Sequence, residues 1–377
     1  MKIAFVYDAV YPWVKGGAEK RIYEVGKCLS ERGDEVHLFG VKWWEGDGII
    51  EQDGMVLHGV CNTRELYVNG RRSISEALIF SLMLFPHLFK SRFDVIDVSV
   101  FPYFSCLSVK CVSIIRRTPA VFTWHEVWDE YWNEYMGPVG YLGKLVERLI
   151  SKLSSNVVAV SGMTKRDLGL LGVNAQMIHI VPNGVHLGEI SAIVPSDDIC
   201  DVLFVGRLIK EKNVNVLLEA VELVRQEILD IKCIIIGNGP EKEQLIELAR
   251  TNKLIESNVR FFEFQEYKEV IARMKASKIL VLPSSREGFG MVVVEAFACG
   301  VPVLTVDEVH NAAAELVDET CGFVVELDAG AIAGALQTLL MDETLRLRLA
   351  GGAKEKAQGY DWENIIGDLR DMYEGLM

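Results

Sequence analysis

The chain has 377 residues, half of them hydrophobic and 24% charged, with a formal net charge of −14. That length accommodates two separate cores, and the composition is that of an ordinary globular protein. The negative balance excludes a general nucleic-acid binder, and the eight cysteines show neither a C-x-x-C pair nor a metal-ligand spacing, as expected of reduced thiols in a cytoplasmic protein.

Strand-like and helix-like patterns alternate from end to end, which argues for parallel α/β sheets. Ile3 to Tyr7 reads as the first strand, and the opening MKIAFVYDAV lacks the long apolar region of a signal peptide. Residues 18–32 read as a helix with Ile22, Val25 and Leu29 on one face and Gly33 as its stop. Between them, Lys15-Gly16-Gly17-Ala18-Glu19 forms the first strand-to-helix turn, where ligands of open α/β sheets collect. It is neither a P-loop nor G-x-G-x-x-G, and a glycine turn needed only for geometry is the alternative. Further strands are expected at 36–39, 93–98, 120–124 and 156–160.

Ile74 to Phe93 reads as an apolar helix broken or bent at Pro86, with Lys90 and Arg92 at its end. Its longest apolar run is too short to span a bilayer. One reading packs this helix on the sheet. The other is peripheral membrane contact through residues 71–92, aided by Arg71, Arg72, Lys90 and Arg92. After the strand Ala120–Trp124 comes His125-Glu126, and a polar residue at the C-terminal end of a parallel strand is well placed for chemistry. A structural histidine is the alternative, and the absence of H-E-x-x-H excludes a zinc protease on this motif. Trp128, Tyr131, Trp132 and Tyr135 share one helical face, suited either to stacking on an acceptor sugar or to core packing. Asn183-Gly184 signals a turn, and 186–199, with Pro195 and Asp197-Asp198, reads as a linker.

Residues 1–183 hold 20 basic and 20 acidic residues, whereas residues 184–377 hold 19 and 33. An acidic second half that binds a phosphorylated ligand needs dedicated local cations, and a neutral first half can approach an anionic surface without long-range repulsion. Val202 to Val205 is a strand, followed by Gly206-Arg207-Leu208-Ile209-Lys210-Glu211-Lys212-Asn213. Arg207 offers a planar fork and Lys212 a point charge, both suited to phosphate oxygens; two solvated surface cations are the alternative. Gly237-Asn238-Gly239-Pro240 lacks the third glycine of a dinucleotide fingerprint, which argues against a dehydrogenase.

The apolar run Ile279–Leu282 ends at Pro283 and leads through Arg286-Glu287-Gly288-Phe289-Gly290 into Met291-Val292-Val293-Val294-Glu295. This reads as strand, glycine-bearing turn and helix, with Gly300 as the stop before the next strand. Gly288 and Gly290 permit close approach of the backbone to a ligand. The helix start at Gly290, Met291 and Val292 points unpaired N–H groups and a partial positive charge at an anion, most often a phosphate. Glu287 and Glu295 can accept hydrogen bonds from hydroxyl groups, so the combination suggests a sugar nucleotide. An ordinary helix entry with two surface glutamates is the alternative.

Glu287 and Glu295, set in PSSREGFGMVVVEAFACGVPV, resemble the E-x7-E motif of the retaining glycosyltransferase family 4, which has the GT-B fold. Gly16-Gly17-x-Glu is similar to the family's G-G-x-E loop facing the donor diphosphate. T-W-H-E resembles the position where a histidine contacts the transferred sugar, and Gly206-Arg207 with Lys212 resembles the diphosphate clamp. Val160-Ser161-Gly162-Met163-Thr164 and Val181-Pro182-Asn183-Gly184-Val185 are similar to strand-end and interdomain motifs. The resemblance covers nearly the whole chain, strongest over 200–325 and weakest over 42–92. It departs at His186, where the family usually has Asp, and at Asp307–Glu315, where the family commonly has two glycines before a Glu. No D-x-D triplet occurs, which disfavours a metal-dependent glycosyltransferase.

The resemblance implies an α/β protein of GT-B architecture, with two Rossmann-like domains whose parallel sheets face a central cleft. The acceptor-side domain is expected over 1–185 and the nucleotide-sugar-binding domain over 186–360. An amphipathic helix, 361–377, carries Trp362, Ile365, Ile366, Leu369 and Tyr373 and crosses back onto the first domain. The implied activity is retaining transfer of a hexose from a UDP- or GDP-sugar to a glycan, lipid-linked or small-molecule acceptor. It needs no metal or cofactor. The expected location is the cytoplasm, with or without association with the inner face of the membrane. His125 and Glu287 are the implied catalytic contacts to the sugar. Gly16, Gly17, Arg207, Lys212, Phe289, Gly290, Met291 and Val292 are expected to bind the donor, and Glu295 its ribose. A sugar-nucleotide 2-epimerase or hydrolase on the same architecture, or a non-catalytic sugar-binding partner, is the alternative.

Overall fold

The computed structural model describes residues 1–68, 71–255 and 257–377. The chain divides into two compact units, residues 1–183 with 362–377, and residues 184–361. The first contains, in order, β1 (Lys2–Val6), α1 (Gly17–Glu31), β2 (Glu35–Lys42), β3 (Ile49–Gln52), β4 (Met55–Asn62), β5 (Tyr67–Val68), β6 (Arg71–Arg72) and α2 (Ile74–Lys90). Then follow β7 (Val95–Ser99), α3 (Phe104–Arg116), β8 (Ala120–Trp124), α4 (Tyr131–Met136), α5 (Gly140–Ser151), β9 (Val157–Ala159), α6 (Gly162–Leu170) and β10 (Ile178–Ile180). The main sheet runs β10-β9-β8-β7-β1-β2-β4-β3 and is parallel except for the β3–β4 hairpin. Every residue of β7 and β8 is buried, as expected of central parallel strands covered on both faces.

Successive strand residues feed two cores. Ala4, Val6, Val98 and Phe122 pack with Phe80, Leu84 and Leu88 of α2 and Cys106, Val109 and Val112 of α3. Ile3, Phe5, Val95 and Val121 pack with Ile22, Val25 and Leu29 of α1 and with Trp362, Ile365, Ile366, Leu369 and Tyr373 of the C-terminal helix, Trp362–Glu374. The α2 helix is continuous from Ile74 to Lys90, with Pro86 inside it, rather than broken there. Proline removes one backbone donor, but Leu84 and Leu88, buried on either side of it, hold both segments on the same core. Arg92 lies beyond the helix end, and the side chain of Arg71 lies outside the described residues.

The second unit contains α7 (Leu187–Ala192), β11 (Cys200–Val205), α8 (Val214–Arg225), β12 (Cys233–Ile236), α9 (Lys242–Thr251), β13 (Val259–Phe262), α10 (Tyr267–Lys275) and β14 (Ser277–Leu282). It continues with β15 (Arg286–Glu287), α11 (Met291–Cys299), β16 (Val303–Val306), β17 (His310–Asn311), β18 (Gly322–Val325), α12 (Ala329–Met341) and α13 (Glu343–Ala357). Its sheet runs β13-β12-β11-β14-β16-β18, parallel throughout, which is the doubly wound order 3-2-1-4-5-6 counted within the unit. The segment expected to be a linker, 186–199, instead begins with α7, which belongs to this unit and packs on α11 with Ile190 buried. One apolar anchor is enough to dock a single helical turn, and Pro195 ends the segment's helical potential rather than signalling an open tether. No helix among the described residues is long and apolar enough to cross a membrane.

Candidate functional site

In the second unit the strand order reverses between β11 and β14, and sheets of this kind bind ligands beyond the C-terminal ends of such a strand pair. Two loops leave there, one before α8 and one before α11. They are laced together. Asn213 Nδ2 donates to Pro283 O at 3.0 Å and to Glu211 O at 3.2 Å, Ser285 N donates to Glu211 O at 2.9 Å, and Lys212 Nζ donates to Glu287 Oε1. The Lys212 and Glu287 side chains are 16% and 14% exposed, so the ion pair is largely withdrawn from solvent. A lysine ammonium has three donors, and Glu287 engages one of them.

Arg207 stands exposed on the first loop. Its backbone is fixed by neighbours the sequence reading assigned no role. Gly206 N donates to Ile236 O at 3.0 Å, Leu208 N to Asn238 O at 2.9 Å and Glu241 N to Leu208 O at 3.0 Å. A Cβ on Gly237 would lie 1.9 Å from Gly206 O, and one on Gly239 would lie 2.2 Å from Leu208 O. The Gly-x-Gly turn that fails as a dinucleotide fingerprint is therefore the bed on which the Arg207 loop lies.

The α11 helix starts after Gly290, whose φ of +95° and ψ of 60° are left-handed. A Cβ there would also lie 2.8 Å from Ala313 Cβ, so glycine is required on both counts. Gly290 has no side chain to accept from the first-turn N–H groups, and the first turn holds no acidic residue, which leaves the positive end of the helix uncompensated by its own side chains. Met291 and Val292 are half-buried at that end, Phe289 is buried with its ring 6.1 Å from that of Tyr360, and Glu295 is 8% exposed further along α11. The 307–315 segment, which departs from the family pattern, forms a parallel ladder in which Glu287 faces Asn311. The Asn311 amide donates to Val306 O at 2.8 Å and Thr305 Oγ1 at 3.1 Å, and its Oδ1 accepts from Ala313 N. Glu287 is thus braced from the side where glycines were expected.

In the first unit His125 follows β8, and its Nε2 lies 2.6 Å from Ser99 Oγ at the end of β7. Burial, with help from the nearby Arg21 cation, pushes its pKa down to about 3, so the imidazole is neutral at pH 7. Behind it, Asp97 accepts from Tyr373 Oη at 2.5 Å and Thr123 Oγ1 at 2.7 Å. Arg21 donates to Pro182 O at 2.6 Å and Asn183 Oδ1 at 2.8 Å, and burial lowers its pKa to about 10 against the attraction of Asp97. A small cavity of about 20 Å³ is lined by Arg21, Asp97, Ser99, Thr123 and Tyr373 among others. Gly16 is the extended residue before α1, and a Cβ there would lie 2.3 Å from Glu19 Oε2. Gly16 therefore leaves room for Glu19 to fold back over the start of its own helix, while Gly17 is the first helical residue.

The aromatic residues after His125 do not share one helical face. Only Tyr131–Met136 is helical, and Trp128 precedes it. Asp129 has a φ of +36°, and the fully buried Glu147 accepts from Trp128 N at 2.8 Å, Asp129 N at 2.7 Å and Tyr103 Oη at 2.6 Å. These bonds end any helix there and turn Trp128 onto Phe101 and Trp132, with ring centroids 4.8 Å apart in each case. Glu147 was missed because its partners are distant in sequence; its only signal is a carboxylate set between the apolar Val146 and Ile150.

The family model described as Glycosyltransferase Family 4 matches residues 15–189, and that described as Glycosyl transferases group 1 matches residues 192–356. The chain belongs to glycosyltransferase family 4. This family 4 chain is 28% identical over 247 residues to a D-inositol 3-phosphate glycosyltransferase of Xylanimonas cellulosilytica, covering 60% of this chain and 58% of that protein. It thus spans a little over half the length of that relative. The sucrose-phosphate synthase of Thermosynechococcus elongatus superposes over 100% of this chain and 98% of its own, with a TM-score of 0.84 and 21% identity. The Anabaena protein HepE, in a crystal structure with UDP-glucose, covers 100% of both chains with a TM-score of 0.78 and 20% identity. These structural likenesses establish the GT-B fold class for the family 4 chain.

Among the sequence-derived candidates, Gly16, Gly17 and His125 belong to the first unit. Arg207, Lys212, Glu287, Phe289, Gly290, Met291, Val292 and Glu295 belong to the second, where Lys212 meets Glu287 and the two loops are joined at the switch point.

Proposed function

We propose that this chain transfers a hexose, with retention of configuration, from a UDP- or GDP-sugar to a glycan, lipid-linked or small-molecule acceptor without a metal ion. The observation that carries the reading is the Lys212–Glu287 pair beside the uncapped start of α11, on loops anchored at the β11–β14 switch point. A helix end and a lysine with donors to spare suit a diphosphate, and Arg207 adds a planar fork on the same loop. HepE, of the same fold, was crystallised with UDP-glucose, which supports a nucleotide-sugar donor.

In this reading Arg207, Lys212 and the helix end at Gly290–Val292 hold the diphosphate. Glu287, with the Phe289 and Gly290 amides, binds the sugar hydroxyls, and Glu295 accepts from the ribose. Gly16 and Gly17 also contact the diphosphate, and neutral His125 contacts the transferred sugar. The acceptor oxygen forms its bond to the anomeric carbon on the leaving-group face. The bond from that carbon to the diphosphate oxygen breaks with its electron pair, and the diphosphate takes the acceptor proton. The clamp stabilises the charge that develops on the leaving group.

The test is incubation with UDP- and GDP-hexoses, chelator present, with and without glycan and lipid acceptors, and assignment of the product anomer by NMR. Acceptor-dependent release of UDP or GDP with a retained anomeric configuration is expected. Turnover without acceptor would point to an epimerase or hydrolase, and donor binding without turnover to a sugar-binding partner protein.

A further inference from the structure

The outer surface of the α2–α3 pair is not accounted for by donor chemistry. The two helices run side by side and in the same direction. Ser81 Oγ donates to Phe104 O at 2.7 Å, Ser108 Oγ donates to Ser81 O at 2.6 Å, and two turns further on Arg116 donates to Phe89 O and stacks on the Phe89 ring at 4.0 Å. Both helices bury their inner faces in the same core, through Phe80, Leu84 and Leu88 and through Cys106, Val109 and Val112. Their outward faces should then be polar. They are not: Leu78, Leu82, Met83, Leu107, Ile114 and Ile115 are exposed, Leu82 to 75% and Ile114 to 65%.

Apart from the exposed Asp94 just beyond α2, the exposed and half-buried charges on the two helices and at their C-terminal ends have one sign. Lys90, Arg92 and Arg117 are exposed at the C-terminal ends of the two helices, and Lys110 and Arg116 are half-buried on α3. No acidic residue occurs from Ala77 to Phe93 or from Val98 to His125, and Glu76 is buried. No salt bridge among the described residues engages Lys90, Arg92, Lys110 or Arg117. A basic, apolar face on a chain of net charge −14 marks a surface selected for an anionic partner.

We infer that the α2–α3 face docks on a lipid bilayer containing anionic headgroups, its leucines and isoleucines entering the interface and its lysines and arginines reaching the headgroups. Long basic side chains lay their stems along apolar surface while their charges stay at the headgroup level. Two-fold association of copies through this face would oppose the same basic rims, which disfavours self-association as the occupant. The inference extends the membrane reading of residues 71–92 to α3, which supplies Leu107, Ile114, Ile115, Lys110 and Arg117. It does not depend on the donor assignment.

The test is flotation of the full chain with phosphatidylcholine vesicles, with and without phosphatidylglycerol. Binding to the anionic vesicles, weakened by salt, is expected. Charge reversal in Lys90→Glu/Arg117→Glu should weaken it more than about 25-fold, since each cation near an anionic surface contributes about a fivefold factor. Leu82→Ser/Ile115→Ser should weaken it about tenfold or more through lost apolar insertion. Both pairs lie on exposed positions, so melting near that of wild type shows the loss to be one of docking; nucleotide-sugar binding should also be unchanged. Equal binding to neutral vesicles, no binding to either, or wild-type binding by both double variants would overturn the inference. So would a wild-type dimer that dissociates in Leu82→Ser/Ile115→Ser.

Discussion

Beyond β7 and β8 in the first unit, polar side chains are sealed into one another. Asp97 is held by Tyr373 and Thr123, Arg21 by Pro182 and Asn183, and His125 lies against Ser99. Beyond β11 and β14 in the second unit, the arrangement is open. Arg207 is exposed and the first turn of α11 carries no side-chain cap, beside a Lys212–Glu287 pair that is itself largely withdrawn from solvent. Buried polar groups must be satisfied internally and so become part of the fold. Polar groups near the surface can exchange partners, which is what holding and releasing a charged ligand requires. The first unit's polar cluster therefore governs stability and the orientation of His125, whereas under the proposed function the second unit's loops set donor affinity.

Removing a sealed charge should have the largest effect on stability. Asp97→Ala strands Tyr373, Thr123 and the buried Arg21 cation, and should cost about 3 kcal/mol or more in chemical denaturation. A loss within measurement error would break the contrast between the units. Next is Gly290→Ala. It forces a left-handed residue to carry a Cβ against Ala313, and should cost about 2 kcal/mol while weakening donor binding. Unchanged stability would mean that α11 can re-form its start without the positive φ.

Near neutrality the smallest effect is that of pH. The folded pKa of His125 lies near 3 and its ordinary value near 6.5, so between those values the unfolded chain binds more protons, and this contribution to stability falls as pH drops through the window. Glu76 acts in the opposite sense. Burial and Asp8 raise it to about 8 from 4.5, so its contribution falls as pH rises through that range. His125→Gln should flatten the acid side of the stability–pH profile relative to wild type and leave the alkaline side unchanged. Parallel profiles would show that the His125 ring is not held neutral by the fold.

The alternation of strands and helices, the two glycine-bearing turns and the loops carrying Arg207 and Glu287 were legible because each rests on local pattern. Burial on both faces gives the continuous apolar runs of the central strands, and Gly290 meets both a backbone and a packing demand within one turn. What was not legible depends on partners far apart in sequence. The Tyr373–Asp97 bond spans 276 positions, and the Lys212–Glu287 pair spans 75. Glu147 ended the expected aromatic helix at Trp128 from 18 to 19 residues away. The 186–199 segment misled because its Pro and Asp content outweighed Ile190, a single apolar anchor whose burial only packing on α11 reveals.

The most direct test of the account is calorimetric titration of the purified chain, without metal, with UDP, GDP and their common sugar conjugates, in parallel with Arg207→Ala. One nucleotide sugar should bind selectively. The variant, with its fold and melting unchanged, should bind it roughly ten- to a hundredfold more weakly, the loss expected of one charge-assisted contact. Equal affinity of wild type and variant, or no binding of any nucleotide, would contradict the assignment of the β11–β14 loops as the donor site.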